Sequence, residues 1–242
     1  MAKWLALSGV VLAGLLAMAS PATAAQRPFQ CEGTLTGATI TRDVVVLPGQ
    51  ACTLVDSIVK RGVRVHQGAY FQATNTDIRR DVIGIGAQTV FIDTGSSLDS
   101  LTAVGTAQVY AFDSAIAGSI RIVGTDDTVN VCGNTVRGDV TVLRSGRDIL
   151  VGDPLAVDCA GNTVTRGSIL VAGNWTDVEL VVSGNVVTKG NLEVFGNEGP
   201  SDKVVRHNTS GRGKQIRCIK NGAPFVGGSN QGWKSYKGDC SV

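Results

Sequence analysis

Aromatic residues are scarce in this chain, 5% of the sequence, and only two histidines occur, His66 and His207. With no C-x-x-C pair to supplement them, a zinc cluster is not expected. An excess of one charge is also missing: 22 Lys and Arg face 20 Asp and Glu. That balance gives no global electrostatic reason to bind nucleic acid. After residue 25 no apolar run is long enough to cross a bilayer, and no long stripe of 3.6-residue period is present. No metal, no cofactor and no catalytic residue is expected from these absences.

The first 25 residues read as a removable leader. Lys3 gives a short basic start, Leu5 to Ala19 is apolar, and Ala22-Thr23-Ala24 offers a small-residue cleavage site. The expectation is a secreted or extracellular protein, associated with the cell wall, with no membrane span. Six cysteines follow, Cys31, Cys52, Cys132, Cys159, Cys218 and Cys240. An even number in an exported chain predicts three disulfides. Glycine is abundant at 31 residues. Short Val-rich runs broken by Gly, Asn, Asp and Ser predict an all-β chain.

A ruler of 19 residues organises those runs. From Val44, steps of 19 reach Val63, Val82, Leu101 and Ile120. Steps of 20, 29, 23 and 24 then reach Val140, Ile169, Leu192 and Ile216. Two residues beyond each marker is another small or apolar residue, from Val46 to Cys218. Eight and ten residues after the early markers come Cys52, Phe71, Val90 and Val109, then Leu54, Ala73, Ile92 and Ala111. A third short strand contributes Ile40, Val59, Ile78, Ile116 and, one residue late, Val136. Three short strands per turn predict a single-domain, three-sided parallel β-helix over residues 26–217, right-handed by analogy, with a cysteine-closed tail at 218–242. One coil has no core, so stacked coils must share one. Coils spaced ~4.8 Å apart make about nine coils a rod of about 40 Å. Gly133-Asn134, Gly161-Asn162 and Gly184-Asn185, with Asn75 earlier, read as corner and ladder positions.

Residues 83–98, IGIGAQTVFIDTGSSL, resemble the active-site loop of pepsin-like proteases. Such an enzyme needs two carboxylates sharing a proton, and one chain needs a second D-T/S-G. The nearest approach is Asp113-Ser114-Ala115. The ruler aligns Asp93 with Val55, Thr74 and Phe112, an outward position before a corner. The protease reading is set aside on both grounds.

Basic residues gather just before the markers: Arg42, Lys60 and Arg61, Arg79 and Arg80, and later Arg137, Arg166 and Lys189. Stacking turns them into a stripe, either a binding edge for an anionic polymer or a solvated corner offset by Asp43, Asp81 and Asp139. Phe91 and Tyr110, 19 apart, should stack outward, to meet sugar rings or a partner or to lie under the C-terminal segment. Asp126, Asp127, Asp153 and Asp158 are the carboxylates an enzyme would draw on, but none stands at diagnostic spacing. His66 and His207 fall in distant coils.

The run C-x-G-T-L-T-G at 31–37, the G-N-T-V-x-G-x-V at 133–140 and the tail from Cys218 through Gly227-Gly228 to Gly238-Asp239-Cys240 carry a resemblance. The chain resembles secreted Gly/Val-rich repeat proteins of actinomycetes, and its coil is similar to that of bactofilins, which polymerise end to end. The resemblance implies a fold and offers no catalytic residues. The expected pairs are Cys31–Cys52, one coil apart, Cys132–Cys159, each before a Gly-Asn-Thr-Val corner, and Cys218–Cys240, closing the tail. The expected function is a non-catalytic structural or adhesive rod that binds anionic cell-wall polysaccharide or copies of itself. The expected binding residues are Arg42, Lys60, Arg61, Arg79, Arg80, Phe91 and Tyr110. The alternative is a polysaccharide-active enzyme on the same scaffold.

Overall fold

A computed structural model describes residues 27–152, 159–212, 214–222 and 224–241. The leader assigned to residues 1–25, and Asp153 and Asp158, lie outside the described residues. Strands too short to hold a core singly stack coil upon coil into three parallel sheets, about ten turns of about 20 residues each. The first sheet runs through eleven strands, from Phe29–Gln30 to Ser235–Gly238. The second has ten, from Gly33–Thr36 to Phe225–Gly228, and the third nine, from Thr39–Ile40 to Thr209–Ser210. A 3₁₀ turn at Asp239–Ser241 is the helical element among the described residues.

The register follows the ruler. Val44, Val63, Val82, Leu101, Ile120, Val140, Ile169, Leu192 and Ile216 pair one above another. All are buried, because alternate side chains of each strand point into the rod. The second column contains one glycine, Gly84, for a packing reason. A Cβ there would lie 2.7 Å from Val90 Cγ2, so the neighbouring strand already fills the space.

The third sheet departs from the ruler in one coil. Ile78 pairs with Leu98, and Leu98 pairs with Ile116. The Asp93–Ser97 corner holds one residue more than its neighbours, and the next corner, Asp99-Ser100, holds one fewer. The marker Leu101 is therefore unmoved while the third-sheet residue slides.

Two corners are lined inside by polar side chains. Between the second and third sheets the buried file runs Ser57, Thr76, Ser96, Ser114, Asn134, Asn162, Asn185 and Asn208, ending at half-buried Asn230. Asn134 N–H and Nδ2 both donate to Asn162 Oδ1, at 3.1 and 3.0 Å, and Asn162 does the same to Asn185. Because the backbone N–H also donates to it, that atom must be the oxygen, which fixes the amide orientation. Between the first and second sheets Asn174, Asn197 and Asn221 form a second file in the same sense. Asn75 does not belong to the file. It occupies the left-handed position before Thr76, with φ 47°, and its Nδ2 donates outside to Asp56 Oδ1 at 2.7 Å.

All three expected cysteine pairs form, with Cα–Cα distances of 5.5, 5.8 and 5.2 Å for Cys31–Cys52, Cys132–Cys159 and Cys218–Cys240. The first and third lie within the apolar core, near opposite ends of the rod. Strands Phe225–Gly228 and Ser235–Gly238 of the expected tail add the last rungs of the second and first sheets.

Candidate functional site

Asp93 is used within its own corner. Its Oδ1 accepts from Thr94 N–H at 2.8 Å and from Thr94 Oγ1 at 3.2 Å, while Oδ2 accepts from Thr74 Oγ1 at 3.2 Å. Thr74 is its counterpart one coil earlier, as the ruler had it. The short side chain closes a turn, the usual work of an Asx residue. The protease-like string is a corner with one extra residue.

The basic residues lie along the edge between the third and first sheets, in two groups. In the first, Arg61 pairs with Asp43 at 3.6 Å and Arg79 with Asp77 at 3.5 Å. Arg42 lies over the Phe29 ring at 5.9 Å and donates to Arg27 O at 3.1 Å. Lys60 and Arg80 are exposed. Then the edge is interrupted, with Asp99-Ser100 and Ala117-Gly118-Ser119 in the next two coils. Arg137, Arg166 and Lys189 form the second group, on three successive coils. They border an open trough of about 800 Å³ on the outer face of the third sheet.

Phe91 and Tyr110 do stack outward, at 5.5 Å between ring centroids, and Phe112 joins them at 5.4 and 5.9 Å. The C-terminal strands continue the sheets at the end of the rod and do not cover this cluster. It belongs to the second sheet, whereas the basic edge borders the third. The two sets therefore do not face one groove.

His66 and His207 are exposed and lie in separate coils. Asp126 is exposed, but Asp127 is drawn into a cluster that the ruler did not foresee. Arg147 Nε meets Asp127 Oδ1 at 3.6 Å, and Gln108 Nε2 donates to Asp127 Oδ2 at 2.9 Å. Asp148 follows one coil later and pairs in register with Glu179 in the next. Burial, reinforced by the Asp127 charge, pushes the Asp148 carboxyl above its ordinary range, and Arg147 opposes the shift. Thr128 pairs with Asp148 in regular register, at the same 20-residue step as Val129 and Ile149, and the register shift between Gly146 and Asp148 lies against the next strand, Trp175–Ser183. Among the described residues no three His, Cys, Asp or Glu side chains are placed to hold a metal ion.

Lys203 is the other unforeseen residue. It takes the inward position between Leu180 and Phe225 and is fully buried. Its Nζ donates to Ser201 O at 2.7 Å and to Gly199 O, satisfying carbonyls that the bulging 198–202 segment turns inward. Desolvation lowers its pKa, against the pull of Asp202. Among the described residues no helix is long and apolar enough to cross a membrane. No family model, no curated protein and no solved structure matches this chain.

Proposed function

We propose that the protein is an exported, non-catalytic rod of the cell envelope or extracellular matrix that binds an anionic polymer along its flank. The observation that carries this reading is the stacking of basic residues along one edge of a rigid solenoid. A solenoid presents repeated chemistry at the coil spacing, which suits an extended, repetitive ligand. Export is supported by the leader-like residues 1–25 and by three disulfides, which persist in oxidising compartments. The likeness of the coil to that of bactofilins adds self-association as a competing partner choice.

The test is a pull-down of the purified mature protein with cell walls and with a soluble wall polyanion, titrated with salt. Binding should weaken steeply between about 50 and 300 mM salt, since exposed charges are screened over roughly 10 Å at 0.1 M. Retention that ignores salt, or no retention at all, would overturn the reading. The Asp127, Asp148 and Glu179 cluster with Arg147 favours a second reading, acid–base chemistry on a polysaccharide. Turnover of an acidic polysaccharide, lost in Asp148→Asn, would put that reading first.

A further inference from the structure

We propose that the trough on the third sheet is the binding site, and that Arg137, Arg166 and Lys189 hold the acidic groups of an extended anionic glycan there. This rests on the polymer-binding function proposed above and narrows it to one place on the rod.

The floor of the trough is built from short side chains. Ser97, Ala115 and Thr135 stack outward from successive third-sheet strands and leave the groove open. It runs from the coil of Asp77 to that of Lys189. Six coils at ~4.8 Å place its ends about 24 Å apart. A compact metabolite would leave most of that length empty, whereas an extended polymer fills it. The exposed Thr135 hydroxyl and the half-buried Thr165 hydroxyl suit a ligand rich in hydroxyl groups.

Of the cationic residues lining the trough, those outside any salt bridge lie at one end. Arg137, Arg166 and Lys189 each precede a glycine, Gly138, Gly167 and Gly190. Those glycines stack so closely that a Cβ on Gly167 would lie 2.2 Å from Gly138 O, and one on Gly190 2.0 Å from Gly167 O. The tight file holds the three preceding cationic residues one coil apart. Among the described residues none of the three forms a salt bridge, whereas Arg61 and Arg79 are paired with Asp43 and Asp77. Three like charges on successive coils repel one another even in water. A chain carrying an acidic group every ~5 Å removes that repulsion at three points together.

At the opposite end Asp77 is paired with Arg79, which also lines the trough, and Asp99 adds a negative charge that disfavours an anion. The ligand should therefore lie with its acidic stretch over the upper three coils and a neutral stretch over the lower ones. Carboxylate and phosphodiester polymers share the required chemistry but differ in charge spacing, and the assay separates them.

The experiment compares the parent with Arg137→Ser/Arg166→Ser/Lys189→Ser and with Arg61→Ser/Arg80→Ser. Each is titrated with polygalacturonate, poly(glycerol phosphate) and neutral dextran in about 50 mM salt. All five positions are exposed, and unchanged thermal melting checks that the fold is kept. The parent should bind polygalacturonate more tightly than poly(glycerol phosphate), and dextran not at all. The triple variant should lose at least tenfold, and the double variant less than threefold. A triple variant that binds like the parent, or a double variant that loses as much, overturns the trough while leaving polymer binding standing. A preference for the phosphate polymer overturns the charge-spacing argument. A parent that binds neither polyanion overturns this site and the proposed function together.

Discussion

At the corner between the second and third sheets, the early coils turn Ser57, Thr76, Ser96 and Ser114 inward, and the later coils turn Asn134, Asn162, Asn185, Asn208 and Asn230 inward. The preceding residue is left-handed in both sets, Asp56, Asn75, Gly95 and Asp113 in the early coils and Gly133, Gly184, His207 and Ser229 in the later ones. The difference lies in how far each corner reaches. Ser57 Oγ accepts from Ala38 N–H at 3.1 Å and donates to Val55 O at 2.8 Å, so it joins a side chain to backbone alone. Asn162 accepts from backbone and side chain below, and its Nδ2 donates to Val131 O and to Asn185 Oδ1. The amide file is thus a chain of side chains running coil to coil, each bond polarising the next. The hydroxyl file is a set of separate staples.

The sharpest way to break the amide file is Asn185→Asp. The Nδ2 that donates to Val151 O, Ser183 O and Asn208 Oδ1 would become a buried carboxylate oxygen facing three acceptors. Loss of more than ~4 kcal/mol, enough to prevent folding, is expected. Urea unfolding within ~1 kcal/mol of the parent at neutral pH would show that the file is not coupled as described.

Next come the disulfides near the two ends. Removing Cys31–Cys52 or Cys218–Cys240 as paired serines should cost about 3 kcal/mol each, from loops of 21 and 22 residues. Hydrogen exchange should separate the two. Opening should spread from the first coil to about Ser96, and should stop within the last coils at the other end, held by the amide file. Equal spread from both ends argues against the distinction.

Smaller effects come from single rungs. Asn162→Ala should cost ~3 kcal/mol, because it removes several bonds and leaves Val131 O without its side-chain donor, and Ser57→Ala about 1 kcal/mol. Chemical denaturation gives both values, and a Ser57 cost as large as that of Asn162 would erase the contrast. The smallest effect concerns Asp148, beside the register shift. Its folded pKa is raised above 3.8, so its contribution to stability is greatest below pH 3.8 and is lost as pH rises through the raised value. Asp148→Asn should therefore stabilise the protein at pH 7, by less than ~1 kcal/mol because the group is half-exposed. The gain should vanish in melts below pH 3.8. A destabilised variant at neutral pH would mean that the carboxylate is needed where it lies.

Inward columns were legible in the sequence because each inward position must be apolar in every coil that shares the core. Val44 through Ile216 pair as spaced, and the cysteines paired by coil position form those pairs. Leu98 escaped because a residue gained at the Asp93 corner is given back at the next one, and a ruler tied to markers cannot see a compensated change. Asn75 holds the left-handed corner position expected of it, whereas the asparagines of the file stand one residue further on, inside. The second file also carried a signal that went unread, Gly173-Asn174 and Gly196-Asn197, each asparagine five residues after its marker. Outward features were the least legible. The break in the basic edge, the separation of Phe91 from it and the Asp127–Asp148 approach depend on which of three faces a residue occupies. Lys203 was invisible because its amine answers two carbonyls turned inward by a local bulge, which no column pattern encodes.

The amide files also give the rod an electrical direction. Every asparagine in them turns its carbonyl towards the early coils, and along each file Nδ2 donates on to the next asparagine as well as back to a backbone carbonyl of the coil before. Along the rod the peptide dipoles of each strand alternate in direction and largely cancel, but these side-chain dipoles add head to tail, as peptide units do in a helix. The partial positive pole falls at the last coil, where Asn230 Nδ2 donates to Val205 O and Cys240 O. Two files of parallel amides thus make the two ends of the solenoid inequivalent to any approaching ion, independently of the charged residues on its surface.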